Sequence, residues 1–510
     1  MKTKYAIPIL VIFVFLVPPK NILFGNDDRS YYYDLGVSYY DKGDIDNAIS
    51  AWEKAIIVNP EFVEAYYNLG NAYEEKGLLE KTISSWAKVI EATPFDIDVY
   101  YNMGVVYTRK GMYTEAKDIF RKGIKVDPDD PEMHYLLGIV FMNTGELDNA
   151  IKEFKYTLML SPDHAGACYS LGNAYCDNNM SDAALASYRE AVKIDGNFVD
   201  AYNNIGSILY KNGMFDDAID AWKRAIEINP NFGDAYYNLG NAYDEKGMFY
   251  ESVSVWRKAL EINPDMLDAR YNLGVVYSEN KMYKDAIDEF KQVLMSNPED
   301  IETLVSLGIA YKNGGLVNKA IYQFKKAIGI QPDNVSALNN LGLVHIQKGQ
   351  YDRAISLFEK LKQIQPDYLE GLYNLGLAFY FKGDLDGAIN TWEKVASIDP
   401  AYKNVHNDLS VSYKKKGSFR DSIAEHERAL EELGKRDKGF SIVLPAHAKE
   451  EDMLVVNRRK LLPAVTIGLT NGEAEKLAKV LGESNVEISF CLNLLAEIDF
   501  VVLEERIANK

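Results

Sequence analysis

From Tyr31 to Lys438 the apolar residues fall in two alternating registers, and the whole arrangement returns every 34 residues. The clearest copy is 235–268, AYYNLGNAYDEKGMFYESVSVWRKALEINPDMLD. In its first half Tyr236, Leu239 and Tyr243 stand at positions 2, 5 and 9 of the copy. That spacing of three and then four places them on one face of a helix. In the second half a small residue at position 18 and a large aromatic at position 22 share a second helical face. The pattern predicts two short amphipathic helices joined by a glycine turn and closed by a proline. Gapless copies begin at Tyr31, Ala65, Val99, Met133, Ala167, Ala201, Ala235, Ala269, Thr303, Ala337, Gly371 and Val405. A fixed period of this size defines the fold before any single element is assigned.

Each recurring residue has a physical reason. Position 6 is glycine in eleven copies, Gly36, Gly70 and Gly240 among them, with Ser410 the exception. Glycine inside a helix costs roughly 0.5–1 kcal/mol against alanine, so its recurrence predicts a neighbour packed too close for a side chain. Position 13 is glycine in ten copies, as a left-handed residue ending the first helix requires; Asn179 and Lys281 replace it. Position 18 is small (Ala48, Ala116, Ala218, Ala286), and all five tryptophans, Trp52, Trp86, Trp222, Trp256 and Trp392, fall on position 22. Proline at position 30 closes ten copies, where it cannot continue a helix. The fifth copy is the least regular, with Cys168, Asn179, Ser181 and Gly196 off the pattern.

Tyr236, Leu239-Gly240, Tyr243, Ser252, Trp256, Ala259 and Pro264 follow the spaced signature of the tetratricopeptide repeat family, which the chain closely resembles over about four-fifths of its length. Only Ser252 departs, keeping the small size of alanine. The resemblance implies an all-α fold, a right-handed superhelical solenoid of helical hairpins whose first helices line a concave groove. It implies binding rather than chemistry.

Within that groove, position 4 carries asparagine in seven copies: Asn68, Asn102, Asn204, Asn238, Asn272, Asn340 and Asn374. Asn71 and Asn241 add a second amide one turn further on, as does Asn173. An amide offers both donor and acceptor, so a ladder of them suits the backbone of an extended peptide whatever its side chains. The arrangement is similar to the asparagine-lined groove in the repeat region of O-linked N-acetylglucosamine transferases. Position 3 is mostly tyrosine (Tyr67, Tyr101, Tyr135, Tyr169, Tyr237, Tyr271, Tyr373) and never lysine. Family members that clamp chaperone C-terminal carboxylates place lysine there, so that specificity is not expected. The residue just before each first helix is often acidic: Glu64, Asp98, Glu132, Asp200, Asp234, Asp268, Glu302 and Glu370. Acids there complement the helix dipole; facing the groove, they would favour a neutral or basic ligand.

Composition narrows the partners. The 510 residues carry a formal net charge of −19, which repels phosphate backbones and argues against nucleic acid. Lys2 and Lys4 precede an apolar run from Tyr5 to Val17. A basic start followed by 7–15 apolar residues is the layout of a secretory signal, and the run falls short of the roughly 20 residues that span a bilayer. Residues 1–25 therefore read as a signal peptide or an uncleaved membrane anchor, 26–30 as a linker, and the protein as exported, periplasmic or anchored facing the periplasm. Cys168 and Cys176, eight apart on one expected helix, would lie about 12 Å apart, too far for a disulfide. Cys168 takes a core position. The tail, 439–510, leaves the period and reads as a small α+β cap.

The chemistry expected of an enzyme is missing from this reading. His134, His164, His345, His406, His426 and His447 occupy unrelated positions, with no ligand pair and no cysteine–histidine cluster. Asp127, Asp129 and Asp130 crowd one inter-repeat loop and read as a solvated turn rather than a calcium site. No cofactor or metal is expected. The expected function is a non-catalytic scaffold of the cell envelope that binds a partner protein or extended peptide in its groove. The alternatives are a self-assembling structural protein and a targeting subunit of an exported enzyme complex.

Overall fold

The structure, a computed structural model, describes residues 28–436. The expected signal or anchor and the expected α+β cap at 439–510 lie outside the described residues, as does Cys491. Among the described residues are twenty-four α-helices and one 3₁₀ turn, Tyr402–Asn404. No described helix is long and apolar enough to cross a membrane. The chain divides into two bodies after Ile262. The first holds the hairpins of repeats one to seven and the second those of repeats eight to twelve.

The 34-residue period is realised as a hairpin of nearly constant dimensions. In repeat two the first helix is Val63–Glu75, of 13 residues, and the second is Leu79–Ala92, of 14. Repeat five, for all its substitutions, keeps those lengths in Ala165–Asp177 and Ser181–Ile194. First helices start two residues ahead of the copy, at Val63 or Ile97. The acids expected just outside the helix, such as Glu64 and Asp98, therefore lie inside its first turn. They still meet the positive end of the dipole.

Every glycine at position 13 is left-handed, with φ from 67° at Gly349 to 90° at Gly383. In repeat two the Gly77 amide donates to the Glu74 carbonyl and the Leu78 amide to the Tyr73 carbonyl, both at 2.8 Å. This pair of hydrogen bonds closes the helix C-terminus. Asn179 (φ 58°) and Lys281 (φ 61°) adopt the same backbone without the freedom of glycine. A left-handed conformation costs an L-residue roughly 1–2 kcal/mol, and asparagine tolerates it better than lysine. Lys281→Gly is therefore expected to stabilise the second body by about 1 kcal/mol, read as a higher urea midpoint at unchanged slope.

The core of each hairpin is one aromatic ring laid on one glycine. A Cβ built on Gly36 would meet Trp52 at 2.4 Å; on Gly104, Phe120 at 2.3 Å; on Gly172, Tyr188 at 2.5 Å; on Gly376, Trp392 at 2.3 Å. The close neighbour expected at position 6 is thus the hairpin's own position-22 ring, sixteen residues on. Each tryptophan also spends its N–H: Trp52, Trp86, Trp222, Trp256 and Trp392 donate to the backbone carbonyls of Tyr33, Tyr67, Asn203, Tyr237 and Tyr373 at 3.0–3.4 Å. A buried indole N–H left unpaired would be costly. In repeat twelve the slot changes hands. Ser410 donates to the Ser422 carbonyl at 2.6 Å, and His426 fills the ring position with its pKa pushed down to about 4 by burial.

Smaller features follow the same template. Cys168 is a buried core residue, and Cys168 and Cys176 are both free thiols. In the crowded acidic loop the Asp127 carboxylate accepts the Asp129 amide at 3.1 Å, as Asn59 accepts Glu61 in repeat one. Asp130 caps the next helix by accepting the Met133 amide at 2.8 Å. These carboxylates serve backbone amides.

Candidate peptide-binding wall

Within the first body the first helices of repeats three and four, four and five, and six and seven pack directly on one another. In the second body those of repeats eight to eleven do the same. Inside each body, a second helix instead packs on the first helix of its own hairpin and on that of the next hairpin in the same body. The first helices therefore form the inner wall of each body, as the family resemblance implies.

The wall is stitched at a fixed offset of 35 residues, from position 3 of one repeat to position 4 of the next. The Asn68 amide nitrogen donates to the Tyr33 hydroxyl at 3.1 Å, Asn102 to Tyr67 at 3.2 Å, and Asn204 to Tyr169 at 3.5 Å. Where position 3 is asparagine the same stitch is amide to amide: Asn238 to the Asn203 oxygen at 3.0 Å and Asn374 to Asn339 at 2.8 Å. Serine and aspartate at position 4 continue it, with Ser306 3.1 Å from the Tyr271 hydroxyl and Asp408 accepting from Tyr373 at 2.6 Å. Asn340 departs for a simple reason: position 3 of repeat nine is Val305, which has no polar atom. Its nitrogen turns to the Ser336 carbonyl at 3.0 Å, and its oxygen accepts from Lys312 at 3.1 Å.

The expected ladder is interrupted by Leu136 and departs at Asn340, but the nitrogens of Asn68, Asn102, Asn204, Asn238 and Asn374 are committed between repeats. The side-chain oxygens of Asn68, Asn102, Asn204 and Asn238 make no hydrogen bond within the described chain. The row is thus held in one orientation with acceptors left over. Asn241 and Asn272 stand half-buried at their template positions, while Asn374 is buried at 3% exposure. Asn71 is buried too, and its amide nitrogen has no partner. The equivalent Asn173 is held through its oxygen, which accepts from the Tyr188 hydroxyl at 2.7 Å and from the Asn204 amide at 3.3 Å.

The acidic row shares this wall. Burial first, then the Asp98 and Asp96 charges, raise the Tyr67 hydroxyl above its ordinary pKa. Burial with Glu132 and Asp130 pushes Tyr101 up to about 12. Burial and Asp200 raise Tyr169, and Asp200 is itself raised by partial burial and by Asp234. The charges of these carboxylates thus act on the position-3 hydroxyls, and in repeat eight the contact is direct, the Tyr271 hydroxyl donating to Glu302 at 3.1 Å. No repeat has lysine or arginine at position 3, 4 or 7, and at position 34 the one such residue is Lys438, which ends repeat twelve. Sequence reasoning missed one further feature, a cleft of about 510 Å³ between repeats two and three. Glu74, Glu75, Lys76, Arg109 and Lys110 are among its lining residues, and it lies at the turn end of the hairpins, away from the asparagine row.

Profiles described as TPR repeat or tetratricopeptide repeat match 36–77, 172–213, 206–247, 314–349 and 342–383, then 97–130 and 233–266, 251–307, and 63–96 and 369–402. Together they span more than half of the chain, and the chain belongs to the tetratricopeptide repeat family. It is a helical-repeat scaffold of the protein-interaction class. No curated protein matches it. Among solved structures, YrrB, titled a TPR protein with an unusual peptide-binding site, is 25% identical over 36% of this chain and 95% of its own, with a TM-score of 0.34. MamA is 32% identical over 33% of this chain and 92% of its own, with a TM-score of 0.31. Yeast Tom70 is 14% identical over 81% of this chain and 99% of its own, with a TM-score of 0.33.

Proposed function

We propose that this protein is a non-catalytic scaffold that holds an extended segment of a partner protein along its inner wall. The observation that carries the reading is the row of asparagine oxygens on the first helices of the first body, pinned by inter-repeat hydrogen bonds yet unpaired within the described chain. Such a row can accept backbone N–H groups at regular intervals, which is what an extended chain supplies. Preorganised groups of this kind bind without the cost of ordering side chains. The scaffold works in the cell envelope, a setting supported by the basic and apolar start of the sequence, Met1 to Val17.

The test is quantitative capture of partner protein from extracts of the source cell by the full chain, compared with a variant carrying Asn68→Ala, Asn102→Ala, Asn204→Ala and Asn238→Ala. Helix content and melting temperature are checked in parallel, because the same side chains stitch repeats together. Loss of capture by a folded variant supports the wall as the binding surface. Undiminished capture moves binding elsewhere.

A further inference from the structure

We propose that the inner wall of the first body takes a basic segment, each lysine or arginine seated between a position-3 tyrosine ring and the carboxylate at position 34. The inference rests on the wall being the partner surface and adds what the partner must carry.

The chain already shows this seating once. In the second body the Lys403 ammonium lies 5.5 Å from the centre of the Tyr373 ring, a position-3 tyrosine, and 5.4 Å from that of Tyr402. It is also 3.5 Å from a carboxylate oxygen of Glu370, a position-34 acid. The residue carrying it has a left-handed backbone, φ 43°. The ring of repeat eleven and the acid three residues before it, the last residue of repeat ten, thus form a cradle filled by a cation from the chain's own loop.

In the first body the same cradle is left open. The same pairing of a position-3 ring with the acid three residues before it on one helix recurs as Tyr67 with Glu64, Tyr101 with Asp98 and Tyr237 with Asp234, and the acids that follow 31 residues on, Asp98, Glu132 and Asp200, also act on Tyr67, Tyr101 and Tyr169. No described lysine or arginine lies over Tyr67, Tyr101 or Tyr169; the rings that cations cover in that body are Tyr32, Tyr73, Phe141, Tyr175 and Tyr243. Glu64, Asp98, Asp200 and Asp234 form no ion pair with any described cation. The asparagine oxygens between them are acceptors, and lysine and arginine are donors without an acceptor. A cation over an aromatic face gains about 0.5–2 kcal/mol and an exposed ion pair about 0–1 kcal/mol. One cradle is therefore weak, and affinity comes from several used in register.

The probe is a fluorescently labelled synthetic peptide of repeating Gly-Ser-Lys, with twins in which lysine is replaced by glutamine or glutamate, titrated by anisotropy against the full chain. One variant combines Asp98→Asn, Asp200→Asn and Asp234→Asn. A control combines Glu80→Gln, Asp182→Asn and Asp220→Asn, removing the same charge from second helices. The lysine peptide is expected to bind best, to weaken with salt, and to lose about tenfold in affinity in the wall variant while the control stays near the parent. Equal loss in both variants would reduce the effect to net charge and overturn the proposal. Equal binding of the glutamine peptide would also overturn it and leave the wall as a sequence-blind groove. Preference for glutamate, or binding of none of the peptides, would overturn it too, and the capture experiment would then decide the wall reading separately.

Discussion

Gly70→Ala is expected to destabilise repeat two by about 2–3 kcal/mol, although alanine is the better helix former. The added Cβ would lie 2.1 Å from Nε1 of Trp86 and 2.3 Å from its Cδ1. Trp86 is 2% exposed and its N–H is engaged by the Tyr67 carbonyl at 3.4 Å. Moving the ring therefore breaks a hydrogen bond as well as packing. Overpacking of this kind costs typically 1–3 kcal/mol, and ejecting a buried tryptophan costs 3–5 kcal/mol. The helical gain from alanine, about 1 kcal/mol, returns only part. Because an array of hairpins opens locally, the measurement is hydrogen exchange of the amides in Val63–Glu75 and Leu79–Ala92. A double-mutant cycle with Trp86→Leu completes the test. The two changes together should cost clearly less than their sum; additive costs would mean that the glycine is not there for the ring.

That pair also shows what could be read from the chain. The glycine at position 6 announced a close neighbour, but periodicity along one helix cannot say which element approaches. The answer lay at an offset of sixteen, where every such glycine has an aromatic and the one serine, Ser410, has His426. The turn at position 13 was fully legible, because a left-handed residue leaves a local signature and Asn179 and Lys281 obey it. The wall was legible only in part. The sequence placed asparagines and tyrosines on one face, while the stitch from Asn102 to Tyr67 joins residues 35 apart. Such a pairing is visible only when two copies are laid side by side with one position of slip. The acids at position 34 lie inside the first turn of the next helix, where they meet its dipole, and their charge also raises position-3 hydroxyls such as Tyr67 and Tyr101.

A third offset escaped notice although the sequence contains it. Position 2 is a basic group in only three repeats, His134, Arg270 and His406, and position 21 is glutamate in those same three: Glu153, Glu289 and Glu425. The structure joins each pair, His134 to Glu153 at 2.6 Å, Arg270 to Glu289 at 3.4 Å and His406 to Glu425 at 2.5 Å. Elsewhere position 2 is tyrosine, leucine or cysteine, and position 21 carries no acid. The rule is physical: a polar group set into a packing position needs its own partner at that depth.

Glu153→Ala is accordingly expected to cost about 2–3 kcal/mol at mildly acidic pH, somewhat below the 3–5 kcal/mol of a fully buried pair because Glu153 keeps 18% of its side chain in solvent. Both ring nitrogens of His134 face acceptors, Nδ1 the Glu153 carboxylate and Nε2 the Pro128 carbonyl at 3.1 Å. Only the doubly protonated ring satisfies both. Burial pushes the His134 pKa down, but the Glu153 hydrogen bond, the Pro128 carbonyl and the charges of Glu153 and Asp130 together raise it above its ordinary value. A raised folded-state pKa contributes stability that is complete below the unfolded value, about 6.5, and is lost as pH rises through the folded one. The parent should therefore lose stability on going from mildly acidic to alkaline pH, and Glu153→Ala should flatten that slope. Replacing both residues with those of repeat two, His134→Tyr with Glu153→Ser after Tyr66 and Ser85, removes the charge and its partner together and should recover most of the loss with no pH dependence at this site. Urea titrations of the three proteins across that pH range decide it. A double variant no better than Glu153→Ala would mean that the glutamate holds the hairpin by some route other than His134.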